Sequence, residues 1–111
     1  MNKPKIVTLC GSTKFKQEFE EANKDFTLKG FIVLSVGFFM HKESTPITEE
    51  QKQNLDDLHK RKIDLSDMIY VINPKDYIGA STKSEIQYAY NTGKLVQFAE
   101  PTNYDFSKTQ L

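Results

Sequence analysis

The sequence predicts an α/β domain of three layers, built on a central parallel sheet of four to five strands. Three observations carry this. Short β-branched apolar runs recur along the chain, at Ile6–Cys10, Phe31–Val36, Met68–Ile72 and Leu95–Ala99. Each is continuous rather than alternating, as expected of strands covered on both faces. The segments between them are long enough to cross over, and each contains a stretch that reads as a helix.

The elements follow in order. Gly11-Ser12-Thr13 breaks the first run, and Ser12 or Thr13 is placed to cap the helix that follows. In that helix Phe15, Phe19, Ala22 and Phe26 recur every three or four residues and make one apolar stripe, stopped at Gly30. Residues 37–48 contain Pro46, lack a period and read as a long loop. Glu49 to Ser66 sets Leu55, Leu58, Ile63 and Leu65 in a charged background, consistent with a solvent-facing helix. Asn73-Pro74 stops the third strand, and a helix from about Thr82 to Asn91 buries Ile86, Ala89 and Tyr90. Pro101 ends the fourth strand, and Tyr104, Phe106 and Leu111 mark a tail able to dock. With right-handed crossovers the expected sheet order is 2-1-3-4, a Rossmann- or flavodoxin-like arrangement. Ligands in such sheets bind beyond the carboxyl ends of the strands, where the order reverses. That singles out the loops at residues 10–14, 36–42 and 73–85.

Composition narrows the function. At 111 residues the chain suits one domain, residues 1–111, with a core of its own. Fifteen Lys and Arg balance fifteen Asp and Glu, so a nucleic-acid polymer is not the expected partner; a small anion needs only a few donors. Cys10 is the single cysteine and cannot form an internal disulfide. No run approaches the roughly 20 apolar residues of a membrane span, and the first run is too short for a signal-peptide core. A cytoplasmic protein without membrane attachment is expected.

Two loops could carry chemistry. In Cys10-Gly11-Ser12-Thr13-Lys14 the glycine permits a close turn, the helix start offers N–H groups, and Ser12, Thr13 and Lys14 add donors for an anion. A plain helix cap accounts for the same residues. In Gly79 to Ala89, Glu85 falls at a helix start near the mouth of the sheet. It is either the acidic end of a Thr82–Glu85 capping box or a carboxylate nucleophile that the helix terminus keeps ionised. Asp64 and Asp67 follow Lys60, Arg61 and Lys62, with which they are expected to pair unless one of them faces the cleft. His41 and His59 have no partner at metal-ligand spacing, so no metal is expected. Cys10 reads as core, and Tyr70, Tyr88 and Tyr90 as packing residues.

Taken together, the strand ending in Gly11-Ser12, the stretch from Arg61 to Asp67 before Met-Ile-Tyr-Val-Ile, and the loop and helix from Gly79 to Glu85-Ile86-Gln87-Tyr88-Ala89 form a pattern. It resembles the nucleoside 2-deoxyribosyltransferase-like superfamily, which includes 2′-deoxynucleoside 5′-phosphate N-hydrolases. The resemblance covers Ile6 to about Phe98. It implies Glu85 as the nucleophile that attacks the anomeric carbon and Asp64 as the carboxylate that holds or protonates the departing base. It also implies that Gly11 and Ser12 line the sugar or phosphate end, and that Ser81, in the loop opened by Gly79, contacts a 5′-phosphate. No cofactor is implied. The substrate would be a nucleoside or nucleotide, and the assembly a homodimer or higher homo-oligomer whose subunits complete each other's sites. A non-catalytic nucleotide-binding module on the same fold, with Glu85 as a cap, is the alternative reading; a purely structural protein is a third.

Overall fold

The computed structural model describes residues 3–39 and 46–106; His41 and Leu111 lie outside them. Four strands form a parallel sheet in the order β2-β1-β3-β4: β1 (Ile6–Gly11), β2 (Ile32–Leu34), β3 (Met68–Ile72) and β4 (Leu95–Phe98). Helix α1 (Lys16–Leu28) covers one face, and α2 (Glu49–Asp64) and α3 (Ala80–Asn91) cover the other. The fold is the three-layer α/β arrangement expected from the sequence, in the expected order.

Alternation along the two central strands decides which side chains meet which helix. Val7, Leu9, Met68 and Ile72 pack with Phe19, Ala22 and Phe26 of α1, joined by Tyr70, whose ring meets Phe26 edge-on at 5.0 Å. On the opposite face Cys10, Ile69 and Val71 meet Ile63 of α2 and Ile86 and Ala89 of α3. The stripe read in α1 is therefore its buried face.

The outer strands differ from expectation. Strand β2 spans three residues rather than six and is only half-buried, while β4 alternates between exposed and half-buried positions. Both are sheet edges, so helices cover them incompletely. Helix ends differ as well. Ser12 and Thr13 do not cap α1: its N-cap is Phe15, without a side-chain bond, and Ser12 Oγ instead accepts the Lys14 amide at 3.3 Å. A capping box does occur, but at Thr48 and Gln51 of α2. Helix α2 is not simply solvent-facing. His59 and Ile63 are buried, whereas Leu58 and Leu65 are 55% and 67% exposed.

Gly11 pairs with Ile72 where β1 lies close against β3. A Cβ there would lie 2.9 Å from the Ile72 carbonyl oxygen and 3.2 Å from Ile72 Cβ. Backbone cannot yield as a side-chain tip can, so Gly11→Ala should cost about 1–3 kcal/mol. The expected reading is a lower urea midpoint with an unchanged slope; an unchanged midpoint would contradict the close approach.

Candidate active site

The carboxyl ends of β1, β2 and β3 open into a cavity of about 540 Å³, within the roughly 300–1,000 Å³ usual for small-molecule sites. Gly11, Ser12, Thr13 and Lys14 form one wall, continuing from β1. Gly79, Ser81, Thr82 and Glu85 form another, where the chain enters α3. Every substrate-binding residue expected from the sequence lines this cavity, together with Glu85.

Glu85 is not a capping residue. Helix α3 begins at Ala80 with Gly79 as N-cap, so Thr82 is already helical and Glu85 sits in the second turn. Its side chain is only 10% exposed and faces His59, with Oε1 3.7 Å from Nε2. Beyond the first turn the helix terminus gives little support to a charge, and burial dominates. Burial and the nearby Asp56 carboxylate push Glu85 up to about 8. The expectation of an ionised Glu85 is therefore reversed near neutral pH: the cavity holds a neutral carboxylic acid.

His59 lies beneath it. Nε2 is 3.1 Å from the Leu9 carbonyl oxygen, which can only accept, so the hydrogen is on Nε2. Burial and the Lys62 ammonium hold the ring neutral, down to about 4. Cys10 Sγ is 3.5 Å from the same nitrogen. Burial and the Glu85 carboxylate raise its thiol well above the ordinary range. Sequence spacing gave His59 no partners; the fold supplies two, from β1 and α3.

Asp64 does not share the cavity. It lies at the end of α2, where Arg61 Nε stands 3.3 Å from its carboxylate and the Tyr88 hydroxyl donates to it. Asp67 also has a structural partner, accepting the Ile6 amide at 2.8 Å. The acidic residue that joins Glu85 in the cavity is Asp56, about two turns earlier. The signal for it was present in the sequence. Lys52, Leu55, Asp56, His59 and Lys62 fall at i, i+3, i+4, i+7 and i+10, and all line the cavity as one helical face.

Lys14, Lys52 and Lys62 line the cavity, but Lys83 does not; its ammonium stands over the Tyr104 ring, 4.5 Å from the centroid. Lys14 Nζ lies 3.5 Å from the Tyr77 ring centroid, and Tyr77 forms part of the cavity rim. The loop carrying Tyr77 has two left-handed residues, Lys75 (φ 53°) and Asp76 (φ 58°). It is tied to the segment after β4. Asn73 exchanges two bonds with Glu100, at 2.9 and 3.0 Å, and the Asn103 amide donates to Asp76 at 2.8 Å. The Asn103 bond holds the Asp76 carboxyl below its ordinary range. Phe106 stacks on Phe98 at 6.2 Å, docking the beginning of the tail.

Among solved structures the chain is similar to 2-deoxyribosyltransferase from the psychrotolerant bacterium Bacillus psychrosaccharolyticus. The TM-score is 0.69 at 17% identity, over 90% of this chain and 75% of that one. The chain shares the fold of that protein. No family model and no curated protein matches it, so the backbone carries a likeness that overall sequence similarity does not. Within this shared fold, the cavity described above occupies the carboxyl end of the sheet, where the order reverses between β1 and β3. Among the described residues, no helix is long and apolar enough to cross a membrane.

Proposed function

We propose that this chain cleaves or transfers the N-glycosidic bond of a deoxynucleoside or deoxynucleoside 5′-monophosphate, with Glu85 as nucleophile. The observation that carries the reading is a buried carboxyl group lining a cavity of about 540 Å³, which a second acidic residue, Asp56, also lines. The solved relative in fold, named as a 2-deoxyribosyltransferase, supports the same substrate class. Ionised Glu85 attacks C1′ as the C1′–N bond breaks. The bonding pair leaves with the base, which takes a proton, and an ester links the sugar to Glu85. Water then attacks C1′ for hydrolysis, or a second base does so for transfer, and the carboxylate is released with net retention.

Asp56 takes the role that the resemblance gave to Asp64, because it is the acidic residue in reach of the cavity. Lys14, Lys52 and Lys62 supply positive charge around it, which favours the monophosphate. Asp56→Asn should lower kcat/KM for base release by about 10²-fold, and Asp64→Asn should change it less than threefold. If Asp64→Asn were the more damaging of the two, the reassignment would fail. The direct test incubates the chain with deoxynucleosides and their monophosphates and follows free base by chromatography. A second base added to the same reactions separates transfer from hydrolysis. Release from no member of the panel would overturn the proposal.

A further inference from the structure

Cys10, His59 and Glu85 come from β1, α2 and α3, and each offers one potential ligand atom, all within 4.8 Å of one another. The Sγ–Nε2 and Nε2–Oε1 separations are 3.5 and 3.7 Å. A tetrahedral ion with bonds of about 2.3 Å to sulfur and about 2.0–2.2 Å to nitrogen and oxygen sets its ligand atoms about 3.3–3.6 Å apart. Both of these separations fit such an ion within a few tenths of an ångström, and the third pair of atoms lies within the same 4.8 Å. We propose that Cys10, His59 and Glu85 form a binding site for a thiophilic divalent cation of the zinc class, with its fourth position open to the cavity.

The donor set argues for this class of ion. Sulfur and imidazole favour zinc-like ions over magnesium or calcium, which take oxygen. A thiolate and a carboxylate together cancel the charge of a dication, so the complex can remain buried as a neutral unit. All three residues are already buried. His59 and Glu85 line the cavity, which gives an ion a route to them. Ligation through Nε2 requires the other imidazole tautomer, with the hydrogen moved to Nδ1 and the bond to the Leu9 carbonyl given up.

The site goes beyond the glycosidic reading and opposes it. An ion held by Glu85 withdraws charge from both carboxylate oxygens and fills space beside them, so metal binding and nucleophilic attack by Glu85 exclude each other. The full-length chain, treated with a chelator and dialysed, is titrated with Co²⁺. The expected result is one ion per chain, with the visible bands of four-coordinate cobalt and a thiolate-to-cobalt charge-transfer band. Cys10→Ser should abolish the charge-transfer band and weaken binding at least tenfold. Glu85→Gln should keep that band and also bind at least tenfold more weakly, with circular dichroism reporting whether each variant folds. Absence of the thiolate band in the wild type overturns the site whatever the variants do; so does equal affinity in all three chains. Base release in excess chelator tests the nucleophile separately. In an active chain, stoichiometric Zn²⁺ should remove that activity at least tenfold, and undiminished turnover with zinc bound would refute the exclusion.

Discussion

Glu85→Gln abolishes base release, lowering kcat by on the order of 10³-fold or more, and leaves the chain folded. The loss follows from chemistry: an amide cannot displace a nucleobase and form the glycosyl ester, and removing a covalent nucleophile is among the costliest single changes to an enzyme. Retention of the fold follows from protonation. Near neutral pH the buried Glu85 is a neutral acid, raised to about 8, and glutamine reproduces its shape and neutrality beside His59. Glu85→Ala would instead leave a void against His59 and mix catalytic with structural loss. Base release by Glu85→Gln at the wild-type rate would remove Glu85 from the mechanism. Unfolding of this variant at pH 6.5 would contradict the neutral-acid state.

Stability and activity run in opposite directions between pH 6.5 and 8. Through the window from 4.5 to 8 the folded chain keeps a Glu85 proton that the unfolded chain releases, so stability falls as pH rises. His59 acts the other way. From about 4 to 6.5 the unfolded chain takes up a proton that the buried ring refuses, so its contribution rises with pH. The two oppose each other up to 6.5, after which Glu85 acts alone. At about 1.4 kcal/mol per pH unit, the fall from 6.5 to 8 is on the order of 2 kcal/mol. Denaturant melts should show this fall in the wild type and lose it in Glu85→Gln; the same slope in both would assign it to other groups. In excess chelator, kcat/KM should rise roughly 50-fold between pH 6 and 8, as the ionised fraction of Glu85 grows from about 1% to half. A flat profile would mean that Glu85 does not titrate in the free chain.

Legibility of this fold from sequence varied with how local the determining forces are. The sheet order, the α1 stripe and the Gly11 and Gly79 loops were readable because β-branched runs, a 3.6-residue period and glycine each act over a few residues. The ends of β2 and α1 were not, because edge position and capping partners depend on what packs nearby. The rotation of α2 was the costliest omission. The charged background reads as a solvent-facing helix, yet His59 and Ile63 are buried while Leu58 and Leu65 are exposed. Eight residues turn a helix through two turns and about 80° more, enough to put Asp56 in the cavity while Asp64 meets Arg61 and Tyr88. Glu85 was found by its motif, but its charge state was not, since desolvation is a property of the assembled cavity.

The paired bonds between Asn73 and Glu100, with Asp76 held by Asn103, bear on how a ligand would be received. They fix the turn behind Tyr77 through side chains and backbone that belong to the fold itself, outside the cavity. Ordering a residue costs about 1–2 kcal/mol in backbone entropy; for this turn that cost falls on folding rather than on association. A ligand therefore meets a finished wall on the Tyr77 side. Loosening the tie, by Asn73→Ala for instance, should weaken affinity without removing any atom that touches the ligand.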